Sequence, residues 1–300
     1  MDKQKNILIS PLYWGLGHAF RIIPVIRAIL RSGHGIFIAA DSELQPIFTR
    51  EFGNIPFVVA NSLHIRYSTG KWFTFKILIQ LPKILTAIYL EHRKLQKIIK
   101  DCHIDIVISD NRYGMWSKKV KSILITHQLA IKMPGGLTFL EPLVHSLTKL
   151  FINKFDECWV PDLSGPKNLS GELSHITMPE KKIRFIGILS RFNYLQAEKE
   201  TTTRYPYVAI LSGPEPQRTM FEDKIIETYN HENIKLLIIR GIISQNQKIR
   251  KFSNNIDLLD FSSGKELFHY IMQSELIICR SGYSSVMDIV KKKKKALLVP

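Results

Sequence analysis

The segment from Gly15 to Arg21 places two glycines, a histidine and an arginine close together. Glycines let a backbone turn tightly, and the start of a helix presents unpaired N–H groups to an anion. His18 has the side chain that takes a proton from an attacking hydroxyl near neutral pH, although it could instead cap the helix. Phe20 replaces the third glycine of a dinucleotide fingerprint, so only a weak NAD interpretation through Asp41 survives.

Two later turns also combine small residues with a helix start. The predicted anion-binding residues in them are Ser212, Gly213, Pro214, Arg218, Arg280, Ser281, Gly282, Tyr283 and Ser284. Serines there are also ordinary helix caps, and a proline-shaped turn needs no ligand. Arg280 follows a buried strand directly and needs a partner, either a diphosphate or an internal carboxylate. Two such turns in one small domain favour a nucleotide diphosphate.

Asp110 and His127 follow two neighbouring predicted strands of the first half of the chain. At those strand ends they would bind sugar hydroxyls or assist proton transfer. Alternatively, Asp110 is a turn residue and His127 is a hydrogen-bonded histidine at the edge of the core. The sequence contains neither a phosphate-binding P-loop nor a Gly-x-Ser-x-Gly nucleophile motif. No Asp cluster with metal-ligand spacing stands out, so we predict neither a metal nor a cofactor.

Short apolar runs alternate with amphipathic stretches, which is typical of parallel sheets covered by helices. Strands are predicted at 6–11, 35–40, 55–60, 104–109, 122–126, 157–160 and 183–188, then at 207–211, 234–239, 257–261, 276–279 and 296–299. Helices are predicted at 18–32, 73–100, 139–153, 217–230, 264–273 and 283–292. We therefore expect an α/β protein with two Rossmann-like, doubly wound domains facing across a cleft.

The predicted domains are 1–188 and 206–300, joined by a polar linker at 189–205. Pro300 closes a strand for which a covering helix should follow, so we expect the second domain to be incomplete and the natural product to be longer. An intact mass of 34.7 kDa from the native source would refute that expectation.

Composition excludes several protein classes. The chain has 300 residues, 45% of them apolar, which fits a globular protein and not a disordered one. Its three cysteines are scattered and predict no disulfide framework, and neither a signal peptide nor a membrane span is evident. We therefore expect a cytoplasmic protein. A formal charge of +16 predicts an anionic partner: nucleic acid, phospholipid or a phosphate-bearing substrate.

These motifs, Gly15-Leu16-Gly17-His18 in one domain and the two Ser/Gly turns in the other, resemble GT-B glycosyltransferases. The most similar members would be the family 28 enzymes that transfer N-acetylglucosamine to lipid acceptors in cell-wall precursor synthesis. The resemblance implies a metal-independent, inverting transfer of a sugar from UDP. It implies that His18 is the acceptor-side base and that the second domain holds the UDP-sugar, with its diphosphate surrounded by Ser212, Gly213, Arg218, Arg280, Ser281 and Gly282. The other predicted acceptor-side residues are Gly15, Gly17, Arg21, Asp110 and His127. The ribose-binding glutamate of the family is expected beyond Pro300.

Residues 71–100 combine seven Lys or Arg with large apolar side chains. This composition fits peripheral contact with the inner face of an anionic membrane and a lipid-linked acceptor, and it equally fits a helix that covers the sheet with a basic outer face. Rival functions are a non-catalytic sugar-nucleotide-binding or membrane-recruitment subunit, and a UDP-sugar epimerase. Nucleic-acid binding is not favoured, because no recognised motif accompanies the charge.

Overall fold

The computed structural model describes residues 3–62, 73–132, 138–175, 182–196, 204–213, 215–242, 248–262 and 264–300. The chain forms two compact units. The first contains Met1–Tyr13 and Val25–Ile188, and the second contains Trp14–Pro24 and Leu189–Pro300. The predicted catalytic segment Gly15 to Arg21 therefore packs with the second unit.

The first unit contains a seven-stranded sheet in the order β3-β2-β1-β4-β5-β6-β7, in which all the neighbours are parallel. The strands are β1 (Asn6–Pro11), β2 (Gly35–Ala40), β3 (Phe57–Val59), β4 (Ile106–Asp110), β5 (Lys121–Ile125), β6 (Glu157–Val160) and β7 (Ile183–Phe185). The helices in this part of the chain are α1 (Gly17–Arg31), α2 (Gln45–Phe52), α3 (Phe73–Asp101) and α4 (Glu141–Ile152).

The second unit contains a six-stranded sheet in the order β10-β11-β9-β8-β12-β13. The strands are β8 (Tyr207–Ile210), β9 (Leu236–Ile239), β10 (Arg250–Lys251), β11 (Ile256–Leu259), β12 (Leu276–Arg280) and β13 (Ala296–Val299), and only β10 runs antiparallel to its neighbour. The helices are α5 (Gln217–Tyr229), α6 (Gly264–Gln273) and α7 (Tyr283–Lys292). The predicted α/β class, with two parallel-sheet units, is confirmed.

The central strands of each sheet are buried on both faces by apolar side chains, which explains their continuous apolar runs. In the first unit, Leu8 and Val107 pack against Leu95 and Ile98 of α3. In the second unit, the core includes Phe192, Tyr205, Val208, Leu237 and Phe268. Two residues of the segment predicted as a linker therefore form part of this second core. Among the described residues, none of the helices has the length and apolar character that a membrane span requires.

Candidate functional site

The predicted glycine turn at the start of α1 lies against the start of α7 in the second unit. Ser284 donates its hydroxyl hydrogen to the carbonyl oxygen of Gly17 over 2.9 Å. A side chain at position 17 would place its Cβ 3.1 Å from Ser284 Oγ, so glycine permits this close approach. Gly15, with a φ of +75°, lies beside Gly213 in the turn between β8 and α5. Three strand-to-helix turns that are distant in sequence therefore meet at one place.

A side-chain hydrogen bond joins two of these turns directly. Arg280, the last residue of β12, donates from Nη1 to Gln217 Oε1 over 3.1 Å and from Nη2 to the carbonyl oxygen of Pro300 over 3.3 Å. The Gln217 amide is neutral. Among the described residues, no Asp or Glu side chain pairs with Arg280, so the second of the two predicted partners, an internal carboxylate, is not found there. Its positive charge remains available to an anion at the end of β12.

The helix α7 begins at Gly282, whose backbone is extended and which provides no side-chain cap. The hydroxyl of Ser284 is directed to Gly17 O instead, so an ordinary serine cap does not explain this residue. Ser281 donates its backbone N–H to Val299 O, which places it beside β13. The first turn of α7 thus keeps the positive end of its backbone dipole uncompensated by a side-chain cap.

Arg218 is engaged within its own helix end. It forms ion pairs with Glu215 and, at 3.6 Å, with Glu222, and it donates to the carbonyl oxygen of Arg240 over 3.1 Å. Burial alone would raise the pKa of Glu215, but hydrogen bonds from Thr219 and the Arg218 guanidinium outweigh it and lower that pKa. Arg218 therefore carries less uncompensated charge than Arg280. Its predicted contact with a phosphate stays a prediction, and Pro214 lies outside the described residues.

His18 and Arg21 contact each other on the first turn of α1. Arg21, only 2% exposed, approaches His18 Nδ1 with Nη2 at 2.8 Å. A guanidinium has no lone pair, so Nδ1 is the acceptor and the neutral imidazole carries its hydrogen on Nε2. The arginine therefore selects the tautomer of the predicted base.

The other predicted residues of the first unit lie at the carboxyl edge of its sheet. Asp110 ends β4, opposite Ile125 of β5, and His127 follows β5 closely; both are buried. Asp41, the residue of the weak NAD interpretation, has a different role. Its carboxylate accepts the backbone N–H of Ser62 at 3.0 Å and the hydroxyl hydrogen at 2.6 Å, which ties the ends of β2 and β3 together.

A buried ion pair near this edge was not predicted. Arg112 donates from Nε and Nη2 to Glu91 Oε1 over 3.0 and 2.8 Å and from Nη1 to the carbonyl oxygen of Ala60 over 2.8 Å. Burial raises the pKa of Glu91 despite the opposing effect of Arg112. Glu91, the one acidic residue between positions 71 and 100, together with an arginine after a buried strand, was the sequence signal for this pair.

A cavity of about 210 Å³ lies beside this pair, between α3 and the ends of β3 and β4. It is lined by Ala60, Asn61, Ser62, Ala87, Leu90, Glu91, Lys94, Leu95, Ile98, Arg112 and Met115. The lining combines an apolar floor with polar groups, which is typical of sites for organic ligands. Within the described part of the chain, no group of His, Cys, Asp and Glu has the arrangement of a metal site.

Comparison with known proteins identifies the fold. Residues 216–300 match the glycosyltransferase family 28 C-terminal domain. The chain has the GT-B glycosyltransferase fold. The predicted resemblance is thus confirmed for the fold and for this C-terminal domain. A preference for N-acetylglucosamine and a lipid acceptor remains a prediction. A comparison with curated proteins gives no significant match.

Solved structures similar to the chain include several GT-B enzymes. The glycotransferase of kitacinnamycin has 13% identity and a TM-score of 0.63, over 99% of this chain and 81% of that one. Acinetobacter baumannii MurG has 14% identity and a TM-score of 0.51, over 99% and 77%. Arabidopsis thaliana UGT89C1 complexed with UDP-L-rhamnose has 12% identity and a TM-score of 0.58, over 99% and 79%. At these identities, the likeness concerns the fold.

Proposed function

We propose that this GT-B protein transfers a sugar, with N-acetylglucosamine as the first candidate, from UDP to a cell-envelope glycan or lipid-linked acceptor. The observation that carries the proposal is the meeting of three strand-to-helix turns in the second unit, at Gly17, Gly213 and Ser284. Arg280, which pairs with no Asp or Glu side chain of the described residues, lies at the same place. Backbone N–H groups at the start of α7, which has no side-chain cap, and one arginine stabilise a diphosphate that gains negative charge as it departs.

In this proposal, the diphosphate of a UDP-sugar lies against the starts of α5 and α7. The match of residues 216–300 to the family 28 C-terminal domain supports this location. The UDP-L-rhamnose complex of a protein with the same fold supports a UDP-sugar as the donor class. The start of α7 and Arg280 supply the positive potential without a metal, whereas at the start of α5 the Glu215 carboxylate already accepts the N–H of Thr219 over 3.2 Å.

His18 is the proposed base. In an inverting transfer, the acceptor oxygen forms a bond to the sugar carbon, the bond from that carbon to UDP breaks, and the acceptor proton passes to the base. Because Arg21 donates to the lone pair of Nδ1, proton uptake requires that Arg21 withdraws from Nδ1. Its withdrawal either frees the Nδ1 lone pair or lets the ring hydrogen move to Nδ1, which frees the lone pair of Nε2. A non-catalytic sugar-nucleotide-binding subunit is the alternative that this engaged histidine favours.

The acceptor is proposed to contact the first unit. The cavity beside Lys94 and Leu90 has apolar walls and a cation at its rim, which suits an amphiphilic acceptor. On the described part of α3, exposed Leu85 and Tyr89 precede the exposed basic residues Arg93 and Lys97. This distribution supports peripheral contact with an anionic membrane surface. Binding to phosphatidylglycerol vesicles that equals binding to phosphatidylcholine vesicles would contradict the membrane contact.

A transfer assay tests the proposal. The protein is incubated with labelled UDP-N-acetylglucosamine, UDP-glucose or UDP-galactose and with a membrane extract, and free UDP and labelled glycan are measured. We expect both products from one donor. His18→Ala should lower turnover by about 10²- to 10⁴-fold while the Kd for UDP is retained. His231→Ala, which changes an exposed histidine of the second unit, is the matched control and should leave turnover unchanged.

The outcomes separate the rival functions. UDP binding without UDP release, with every donor and extract tested, would indicate the non-catalytic subunit. Conversion of the UDP-sugar without release of UDP would indicate an epimerase. UDP release that is unaffected by His18→Ala would remove His18 from the mechanism.

A further inference from the structure

A buried ionic cluster in the second unit joins α7 to the segment before β8. Asp288 of α7 accepts the hydroxyl hydrogen of Ser190 over 2.7 Å and the Nε–H of Arg191 over 2.9 Å. The side chains of Arg191 and Asp288 are only 10% and 7% exposed. Burial raises the pKa of Asp288, while Arg191 and Ser190 oppose that rise. The carboxylate thus holds the Arg191 guanidinium in one place.

The same guanidinium lies on the first turn of α1. Its central carbon is 4.0 Å from the centre of the Phe20 ring and 5.0 Å from the centre of the Phe192 ring. Phe20 in turn stacks on Phe261, with ring centres 6.3 Å apart and an interplanar angle of 22°. A planar cation held over an aromatic face gives a directional attraction that a lysine reproduces only in part. Phe20 is therefore held between an arginine and a second ring.

One nitrogen of Arg191 is not used by this arrangement. Nη1 is buried and, in the described part of the chain, has no hydrogen-bond partner. Leaving a buried donor unpaired is unfavourable. If Arg191 served only to neutralise Asp288, a shorter cation or an apolar pair of residues would serve there with little loss of stability. The feature of arginine that this place uses is its flat face against Phe20.

The α7 helix consequently contacts the start of α1 at two levels. Ser284 bonds Gly17 O directly, and Asp288, one helical turn further along α7, acts on Phe20 through Arg191. His18 lies between these two attachment points in the sequence. A displacement of about 1 Å at a catalytic group lowers turnover by about 100-fold.

We propose that Arg191 is a positioning residue that fixes His18 by clamping the first turn of α1 to α7. This inference rests on the proposed function, in which His18 is the base. The contacts of Arg191 with Asp288 and Phe20 keep that base in a fixed position relative to the donor-binding turns. Arg191 is not assigned any contact with the donor.

The main test compares Arg191→Lys with wild type, alone and combined with His18→Ala. Lysine keeps the charge that faces Asp288 and loses the flat face. We expect kcat to fall about 10- to 100-fold while the Kd for UDP changes less than about threefold. In the His18→Ala background, the same substitution should cause no further fall, because the residue acts through His18. Phe20→Leu should reproduce the loss with Arg191 intact.

Two results in active protein would overturn the inference. One is an equal fall in kcat with and without His18, which would show that Arg191 acts elsewhere. The other is a fall of more than about tenfold in UDP affinity, which would make Arg191 a donor ligand. Thermal unfolding of each variant shows whether the fall in kcat follows a loss of stability. Arg250→Lys, at an exposed arginine of the same unit, controls for the exchange of a guanidinium for an ammonium group and should leave kcat unchanged.

An NMR measurement on His18 tests the inference even if the protein shows no turnover. With ¹⁵N-labelled histidine, the imidazole nitrogens of His18 are assigned by comparison with His18→Ala. We expect Arg191→Lys and Phe20→Leu to shift the Nδ1 and Nε2 signals, because both loosen the turn that holds Nδ1 against Arg21. Unchanged His18 signals would refute the clamp. If the two variants shift the His18 signals but the wild-type protein transfers no sugar, the proposed function is contradicted and the clamp remains supported.

Discussion

Arg280→Ala removes a cation that the structure places beside the starts of α5 and α7. Its two hydrogen bonds go to Gln217 Oε1 and Pro300 O, so no Asp or Glu side chain of the described residues is left unpaired by the change. Hydrogen bonds to charged groups contribute about 1.5 to 3 kcal/mol each. One lost bond to a phosphate would weaken UDP binding by about 10- to 150-fold. The fold should be little affected.

Isothermal titration at fixed ionic strength measures this effect with UDP, UMP and uridine. We expect the loss of affinity to be greatest for UDP and absent for uridine, because in the proposed placement only the phosphates contact Arg280. Arg280→Lys should retain part of the affinity. Arg250→Ala, which removes an exposed arginine paired with Asp260 in the same unit, is the matched control. Equal affinity of Arg280→Ala and wild type for UDP, or an equal loss for uridine, would refute the placement of the diphosphate.

Three further predictions concern the close contact at Gly17, the buried ion pair of Arg112 with Glu91, and the dependence of the free energy of unfolding on acidic pH. Gly17→Ala should displace the Ser284 hydroxyl, which would lie 3.1 Å from the new Cβ, and should raise the donor KM; a KM equal to that of wild type would contradict the close contact. Arg112→Met should lower the free energy of unfolding in urea by about 3 to 5 kcal/mol, because it leaves Glu91 buried and unpaired; Arg93→Met, at an exposed position, should leave it unchanged. Burial would raise the pKa of Asp162, but hydrogen bonds from Ser170, Leu169 and Leu163 lower it below its usual 3.8. Its stabilisation is therefore present above pH 3.8 and is lost as the pH falls through the lower, folded-state value. Asp162→Asn should flatten this part of the profile of unfolding free energy against pH, and an unchanged slope would contradict the assignment.

The sheets could be predicted from sequence because their central strands are buried on both faces and are therefore apolar throughout. β12 and α7 were predicted with bounds within one residue of those observed, since an apolar run or an amphipathic period decides each locally. The helix α2 was missed: it has only eight residues, and a proline in its first turn was not recognised as compatible with a helix start. β10 was missed because its two exposed basic residues carry no apolar pattern.

The turns of the candidate site were visible as glycine and serine clusters, but their partners were not. The ion pair of Arg218 with Glu215 is local and could have been predicted from the spacing of three residues. The bond between Ser284 and Gly17 spans 267 residues, and that between Arg191 and Asp288 spans 97. Such contacts depend on how the sheet order brings distant strand ends together, which no local pattern encodes. The buried Phe192 and Tyr205 were overlooked for a similar reason, since the surrounding segment is polar.

Hydrogen exchange measured by mass spectrometry with and without UDP tests the central claim most directly. If the diphosphate lies where the three turns meet, UDP should slow amide exchange in peptides that contain residues 15–18, 211–213 and 281–286. Amide exchange in peptides from β10 and β11, at the opposite edge of the same sheet from β12, should be unaffected. UDP binding that leaves those three turns unchanged, or that protects only other segments, would contradict the account.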